Sequence, residues 1–182
     1  MSTQLSRLTE RAKADKTARF LSMAHLLTPG ALYAAFEGLR RNASAGVDEV
    51  TYAEYEKAAG ENIQQLHGRL VSHRYRAQPL RRVYIPKENG SERPIAIPSL
   101  EDKIVQKATV EVLNAIYEQD FLPCSYGFRP GRSPHDALDA VGRIICRGPM
   151  AYVLEADIRS YFGAPGQAGR FQRVQFPPRQ GE

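Results

Sequence analysis

The sequence predicts an α+β fold, and three observations carry that expectation. Apolar residues recur at helical spacing through the first 78 positions. Two short β-type runs, 82–85 (Arg-Val-Tyr-Ile) and 93–97 (Arg-Pro-Ile-Ala-Ile), flank an Asn89-Gly90 turn. A last apolar run, 152–156, ends in a carboxylate at Asp157.

Taken in order, the N-terminal region reads as helices. Leu5, Leu8 and Ala12 share one stripe, and Thr28-Pro29 supplies a cap and first-turn proline for a helix carrying Leu32, Ala35, Phe36 and Leu39. The small polar run 42–48 is a loop, and Thr51 with Glu54 forms a capping box for one helix running to Val71. The runs flanking Asn89-Gly90 make a hairpin whose tip is longer than a two-residue turn. Ser99 caps a helix from Leu100 to about Tyr117, with Ile104, Ala108, Val112 and Ile116 on one face. Residues 121–133 form a Pro/Gly/Arg loop. Ser133, Pro134 and Asp136 start another helix with Ala137, Leu138, Val141 and Ile145 as its buried stripe. Residues 152–156 read as a central strand. The last 20 residues hold four Gly, three Pro and four Gln with no period, the composition of a disordered tail.

Composition narrows the class. The chain has 182 residues, 42% hydrophobic and 25% charged, as expected of a globular protein. No apolar run approaches the roughly 20 residues that span a bilayer, and residues 1–10 lack a signal peptide's apolar segment. A cytoplasmic protein without a membrane partner is the expectation. Cys124 and Cys146 have no metal-ligand spacing and read as reduced thiols. The net charge is +5, and its distribution is informative. Between Arg69 and Arg93 seven basic residues face two acidic ones, and arginines return at Arg129 and Arg132. Such clusters fit contacts with a phosphate backbone, although a solvated surface carries the same pattern.

Three motifs in sequence then point to a family. The first runs from Pro79 to Gln106 and contains Arg82-Val-Tyr-Ile-Pro-Lys-Glu-Asn-Gly-Ser-Glu-Arg-Pro94. The second is Tyr117-Glu118, Phe121 and Ser125-Tyr-Gly-Phe-Arg-Pro-Gly-Arg-Ser-Pro-His-Asp-Ala-Leu138. The third is Tyr152-Val-Leu-Glu-Ala-Asp-Ile-Arg-Ser-Tyr-Phe162. Together they closely resemble the fingers and early palm of group II intron reverse transcriptases, retron-type RNA-directed DNA polymerases of mobile elements with maturase function. Ala45-Gly-Val-Asp48 resembles that family's N-terminal extension motif. The resemblance covers about residues 25–162. It implies a helical extension over 1–78, fingers over 79–150, the start of a palm over 151–162, and an unrelated tail over 163–182.

The resemblance also implies roles. Lys87 and Arg93, on a hairpin flap, match residues that hold the triphosphate of an incoming dNTP, for which a guanidinium fork suits phosphate oxygens. Arg81, Arg82, Arg129 and Arg132 are candidates for nucleic-acid contact, and Tyr126 and Phe128 either stack on a template strand or pack into the core. His135 reads as a capping or packing residue. Asp157 matches the catalytic carboxylate that binds Mg2+, the Ile158 carbonyl a second metal ligand, and Phe162 the residue beneath the sugar. Partners implied are intron RNA, an RNA template and a DNA primer.

One departure matters. Gly163 stands where the family continues with an aspartate, and the chain contains no Asp-Asp pair. Two-metal phosphoryl transfer needs several carboxylates around ions roughly 4 Å apart. The expectation is a truncated nucleotidyltransferase that is inactive alone, from an interrupted reading frame. The alternatives are a retained, non-catalytic RNA-binding module, and a fragment complemented by a second polypeptide.

Overall fold

The structure is a computed structural model that describes residues 3–86, 90, 92–148 and 152–156. Among these it contains six α-helices and one two-stranded antiparallel sheet, as the α+β expectation requires. The helices are α1 (Thr3–Ala14), α2 (Pro29–Glu37), α3 (Tyr52–Glu56), α4 (Ala59–Val71), α5 (Leu100–Tyr117) and α6 (Pro134–Arg147). The strands are β1 (Arg81–Pro86) and β2 (Glu92–Ile97). The chain divides into two compact units, one of Met1–Ser6 with Ser22–Ala115, the other of Arg7–Leu21 with Ile116–Glu182.

The first unit is built around α2, α3, α4 and the start of α5. Thr28 Oγ1 accepts from the Ala31 amide at 3.2 Å, and Pro29 occupies the first turn, so α2 begins where the sequence places it. Leu32, Ala35 and Phe36 then face Tyr52, Tyr55, Ile63, Leu66, Leu100 and Ile104 in one buried cluster. Phe36 stacks on Tyr52 with ring centroids 4.5 Å apart, and tilts against Tyr55 at 5.3 Å.

One predicted helix is two. The Thr51–Glu54 capping box forms as expected, but α3 stops at Glu56 and α4 starts at Ala59. Ala58 (φ −133°, ψ 32°) has left helical geometry, and Asn62 Nδ2 donates to the Tyr55 carbonyl at 3.3 Å. The Ala58 amide donates to the same carbonyl at 3.3 Å, so this acceptor stays satisfied at the break. Tyr55, Ala59, Ile63 and Leu66 still follow one helical stripe, so the apolar period runs straight across the break and conceals it.

α4 ends in a Schellman motif. The Arg74 amide donates to the Arg69 carbonyl at 2.9 Å, and the His73 amide to Leu70 at 3.1 Å. The left-handed position usually held by glycine is occupied by His73, at φ 57°. Beyond it, the buried Asp102 carboxylate ties the chain to the start of α5. It accepts from Tyr75 Oη, from the Gln78 amide at 3.1 Å and from Ser99 Oγ at 2.8 Å, while Ser99 Oγ accepts from the Asp102 amide. Burial, and then the bond to Asp102, push the Tyr75 phenol's pKa well up. α5 buries Ile104, Ala108, Val112 and Ile116, the predicted face.

In the second unit, Ser133 and Asp136 form a reciprocal capping box that starts α6. Its predicted burial is overturned. No residue of α6 is buried, and Leu138, Val141, Ile144 and Ile145 are exposed. The amphipathic period is real, but no described element packs on it. The predicted strand over 152–156 is likewise absent: these residues join no ladder, and Tyr152, Val153 and Leu154 are exposed. A strand is defined by its partner, and no described strand stands beside this run. Residues 163–182 lie outside the described residues.

Candidate nucleic-acid interface

Three groups of cations were expected to act, and the structure separates them by what already engages them. The first group is internal. Arg69 donates two 2.7 Å bonds to the Glu101 carboxylate, Arg74 Nε donates to Ser72 Oγ at 3.0 Å, and Arg76 donates to the His73 and Tyr75 carbonyls. Much of the basic run counted from Arg69 therefore secures the turn after α4.

The second group lies on the hairpin. Arg81 pairs with Ile97, Val83 with Ile95, and Ile85 with Arg93, so these six residues share one face. Arg82, opposite Ala96, is on the other face with Tyr84. The hairpin thus brings Arg81 and Arg93 to opposite ends of one aliphatic patch and keeps Arg82 apart from them. None of the three pairs with a described carboxylate, and Arg81 Nε is buried without a hydrogen-bond partner among the described residues. Gly90 has φ 78°, as a turn at Asn89-Gly90 requires. Lys87, the other expected triphosphate ligand, lies outside the described residues.

The third group is the 121–133 loop, where the structure gives Arg129 an internal task. Its side chain is nearly buried. Nε donates to Glu118 Oε1 at 2.5 Å, Nη1 donates to the Leu122 and Ser125 carbonyls at 2.9 and 2.8 Å, and the guanidinium lies over the Phe121 ring. A fork committed to four partners holds the loop together. Arg132 is more open: it donates to the Pro123 carbonyl at 3.1 Å and sits over the Tyr126 ring at 5.2 Å. His135 is exposed in the first turn of α6, consistent with a terminal residue.

The structure also shows a site the sequence reading missed. An open cleft of about 730 Å³ is lined by Arg40, Arg41, Asn42, Ala43, Ser44, Ile97 and Lys103. Three cations and no carboxylate line it. Lys103 Nζ donates to the Ser44 carbonyl at 2.6 Å, which pins the loop to α5. Burial lowers the Lys103 pKa, Asp48 opposes that shift, and neighbouring Arg81 adds to it. Exposed Arg41 sits over the buried Tyr52 ring at 5.4 Å and lies 3.7 Å from exposed Glu56. Gly46 fixes the loop from its other end, because a Cβ there would lie 2.5 Å from Ser99 Cα. That close approach explains the glycine of Ala45-Gly46-Val47-Asp48. The signal was present as Arg40-Arg41 before a small polar loop. It was hidden because Lys103 sits in a stretch whose net charge is acidic.

Asp157, Ile158 and Phe162 lie outside the described residues. Among the described residues no group of three or more His, Cys, Asp or Glu side chains is placed to hold a metal ion. No described helix is long and apolar enough to cross a membrane.

Residues 85–164 match the family described as reverse transcriptase (RNA-dependent DNA polymerase). The chain is 43% identical over 122 residues to Protein YkfC of Escherichia coli K12, covering 64% of this chain and 32% of that protein. It is 35% identical over 139 residues to the group II intron-encoded protein LtrA of Lactococcus lactis, covering 76% of this chain and 23% of that protein. Over 79 residues it is 44% identical to an uncharacterized 91 kDa protein in the cob intron of Schizosaccharomyces pombe, covering 43% of this chain and 10% of that protein. The chain spans about a third or less of the length of each of these relatives.

Proposed function

Because this chain belongs to the group II intron reverse transcriptase family, we propose that it grips RNA through its first unit, as the fingers and N-terminal extension of such an enzyme. The observation that carries this reading is the cleft lined by Arg40, Arg41 and Lys103 without a carboxylate. Cations collected in a concave site release counterions when they meet phosphates, and this supplies sequence-independent affinity for nucleic acid. Arg81 adds positive charge beside Lys103, while Arg82 on the other hairpin face and Arg132 in its own loop are further proposed contacts. Arg129 contributes by holding its loop.

The finer assignments are proposals of the same reading. Intron RNA or an RNA template occupies the basic surface, with a DNA primer beside it. Lys87 and Arg93 meet the dNTP triphosphate, and Phe162 lies under its sugar. Asp157 and the Ile158 carbonyl are ligands for Mg2+, the ion that activates the primer hydroxyl when bound. RNA binding is the activity we assign to the described first unit, acting in the cytoplasm. The segments proposed are extension over 1–78, fingers over 79–150 and early palm over 151–162.

The test is equilibrium binding of the 182-residue chain to a structured RNA across a salt series. Affinity should fall linearly on a log–log plot. Arg40→Glu with Lys103→Gln should reduce the slope by roughly 0.7–0.9 for each phosphate that is no longer neutralised. A chain with no affinity for RNA at low salt would end this reading.

A further inference from the structure

The least economical residue in the described chain is Phe128. Its ring is fully exposed, and its backbone has φ 56°, a left-handed conformation that a bulky residue adopts only under constraint. A large apolar side chain gains nothing from water, and a strained backbone gains nothing from being strained. The surrounding loop nevertheless enforces both. Arg129, the next residue, is tied to Glu118, Leu122 and Ser125, and Arg132 is held over Tyr126 while it donates to Pro123. A second left-handed residue, Gly131 at φ 68°, closes the turn. The loop is therefore braced on both sides of a presented ring. Strain retained by a braced segment points to use rather than accident.

We propose that Phe128 is a stacking platform for an unpaired nucleobase of a single-stranded nucleic acid. This rests on the RNA-binding reading above and adds a subsite that recognises bases instead of phosphates. The surroundings favour a base over a protein surface. Phe128 is flanked in the chain by Gly127 and by the tied-down Arg129, and a Cβ at Gly127 would meet nothing within 4 Å. A presented ring beside glycine, with the Arg132 guanidinium braced in the same loop, is the layout of a base platform, where any base offers a π face and cations meet the strand.

The chain contains no tryptophan, so Phe128→Trp creates a unique emitter at the site. Single-stranded oligo(A) RNA should quench the emission of that introduced indole, while an abasic ribose-phosphate oligomer of equal length should not. Phe128→Gly removes the ring and relieves the backbone, so the variant should be at least as stable as the parent. It should bind oligo(A) about 5- to 150-fold more weakly, with unchanged affinity for the abasic oligomer and an unchanged salt slope. Binding of oligo(A) by the parent chain with no loss in Phe128→Gly and no quenching in Phe128→Trp would overturn this inference alone. Failure of the parent chain to bind either oligomer would remove the underlying reading and this one with it. Emission that shifts to the blue with protein concentration before RNA is added would show the ring covered by protein, and would also overturn it.

Discussion

Gly46 and Ser99, 53 positions apart, meet backbone to backbone: a side-chain carbon on Gly46 would fall 2.5 Å from Ser99 Cα and 2.7 Å from its amide nitrogen. Neither neighbour is a flexible tip that could swing away. The contact fastens the cationic loop to the start of α5, where Ser99 and Asp102 are already locked together.

Gly46→Ala should therefore force a backbone shift costing on the order of 1–3 kcal/mol. Chemical denaturation should show a lower midpoint at an unchanged slope. RNA affinity should fall as well, because Arg40 and Arg41 lose their fixed separation from Lys103. Full stability in Gly46→Ala would mean that the loop does not approach α5 as described.

Arg129→Ala should be costly because it strands the Glu118 carboxylate and the Leu122 and Ser125 carbonyls together. A loss of about 2–3 kcal/mol is expected. Arg129→Lys should recover little of it, since an ammonium cannot present the planar fork that reaches all three. Thermal unfolding of the two variants checks this, and near-parental stability in Arg129→Lys would contradict it.

The start of α6 should respond to acid. The Ser133 hydroxyl and backbone amide bond Asp136 and hold its carboxyl below the usual range. A depressed acid stabilises the fold while ionised, so its contribution is complete above the unfolded value near pH 4 and is lost as pH falls through the lower folded value. Ser133→Ala should return the Asp136 titration toward an ordinary aspartate. Carboxyl-resolved NMR titration reads both results, and an unshifted Asp136 in the parent chain would refute the reciprocal cap.

His73→Gly should stabilise the protein by up to about 1 kcal/mol. The left-handed turn after α4 strains any residue with a Cβ, and glycine's greater unfolded freedom offsets only part of the relief. The His73 side chain takes no part in the turn's backbone bonds to Leu70 and Arg69. A lower melting temperature would show that the imidazole makes a contribution of its own.

Local signals were legible in the sequence wherever the chemistry itself is local. The caps at Thr28, Thr51, Ser99 and Ser133 act within one helical turn, and all four form. The buried face of α5 followed from its period. What escaped depends on contacts distant in the chain. The stripe of Leu138, Val141 and Ile145 specifies an amphipathic helix but cannot say whether anything covers it. Arginine count likewise says nothing of engagement: Arg69 and Arg129 are bound internally, whereas Arg40 and Arg41 line a cleft with Lys103, some 60 positions away. Asp157, on which the family motif turns, lies outside the described residues, as do Lys87, Ile158 and Phe162.

The hairpin of β1 and β2 is exposed along most of its described length, and only its base, at Arg81 and Ile97, is partly buried among the described residues. A two-stranded ribbon without a packed face is marginal in water. Its amides should therefore exchange with solvent deuterium by local opening, far faster than those of α4 and α5, whose opening requires the Phe36–Tyr52 cluster to come apart. A ligand that bridges Arg81 and Arg93 would have to hold the ribbon closed, and part of its binding energy would be consumed in that ordering. Slowed exchange confined to β1 and β2 would then be the earliest sign of an occupied flap, visible before any change in the helices.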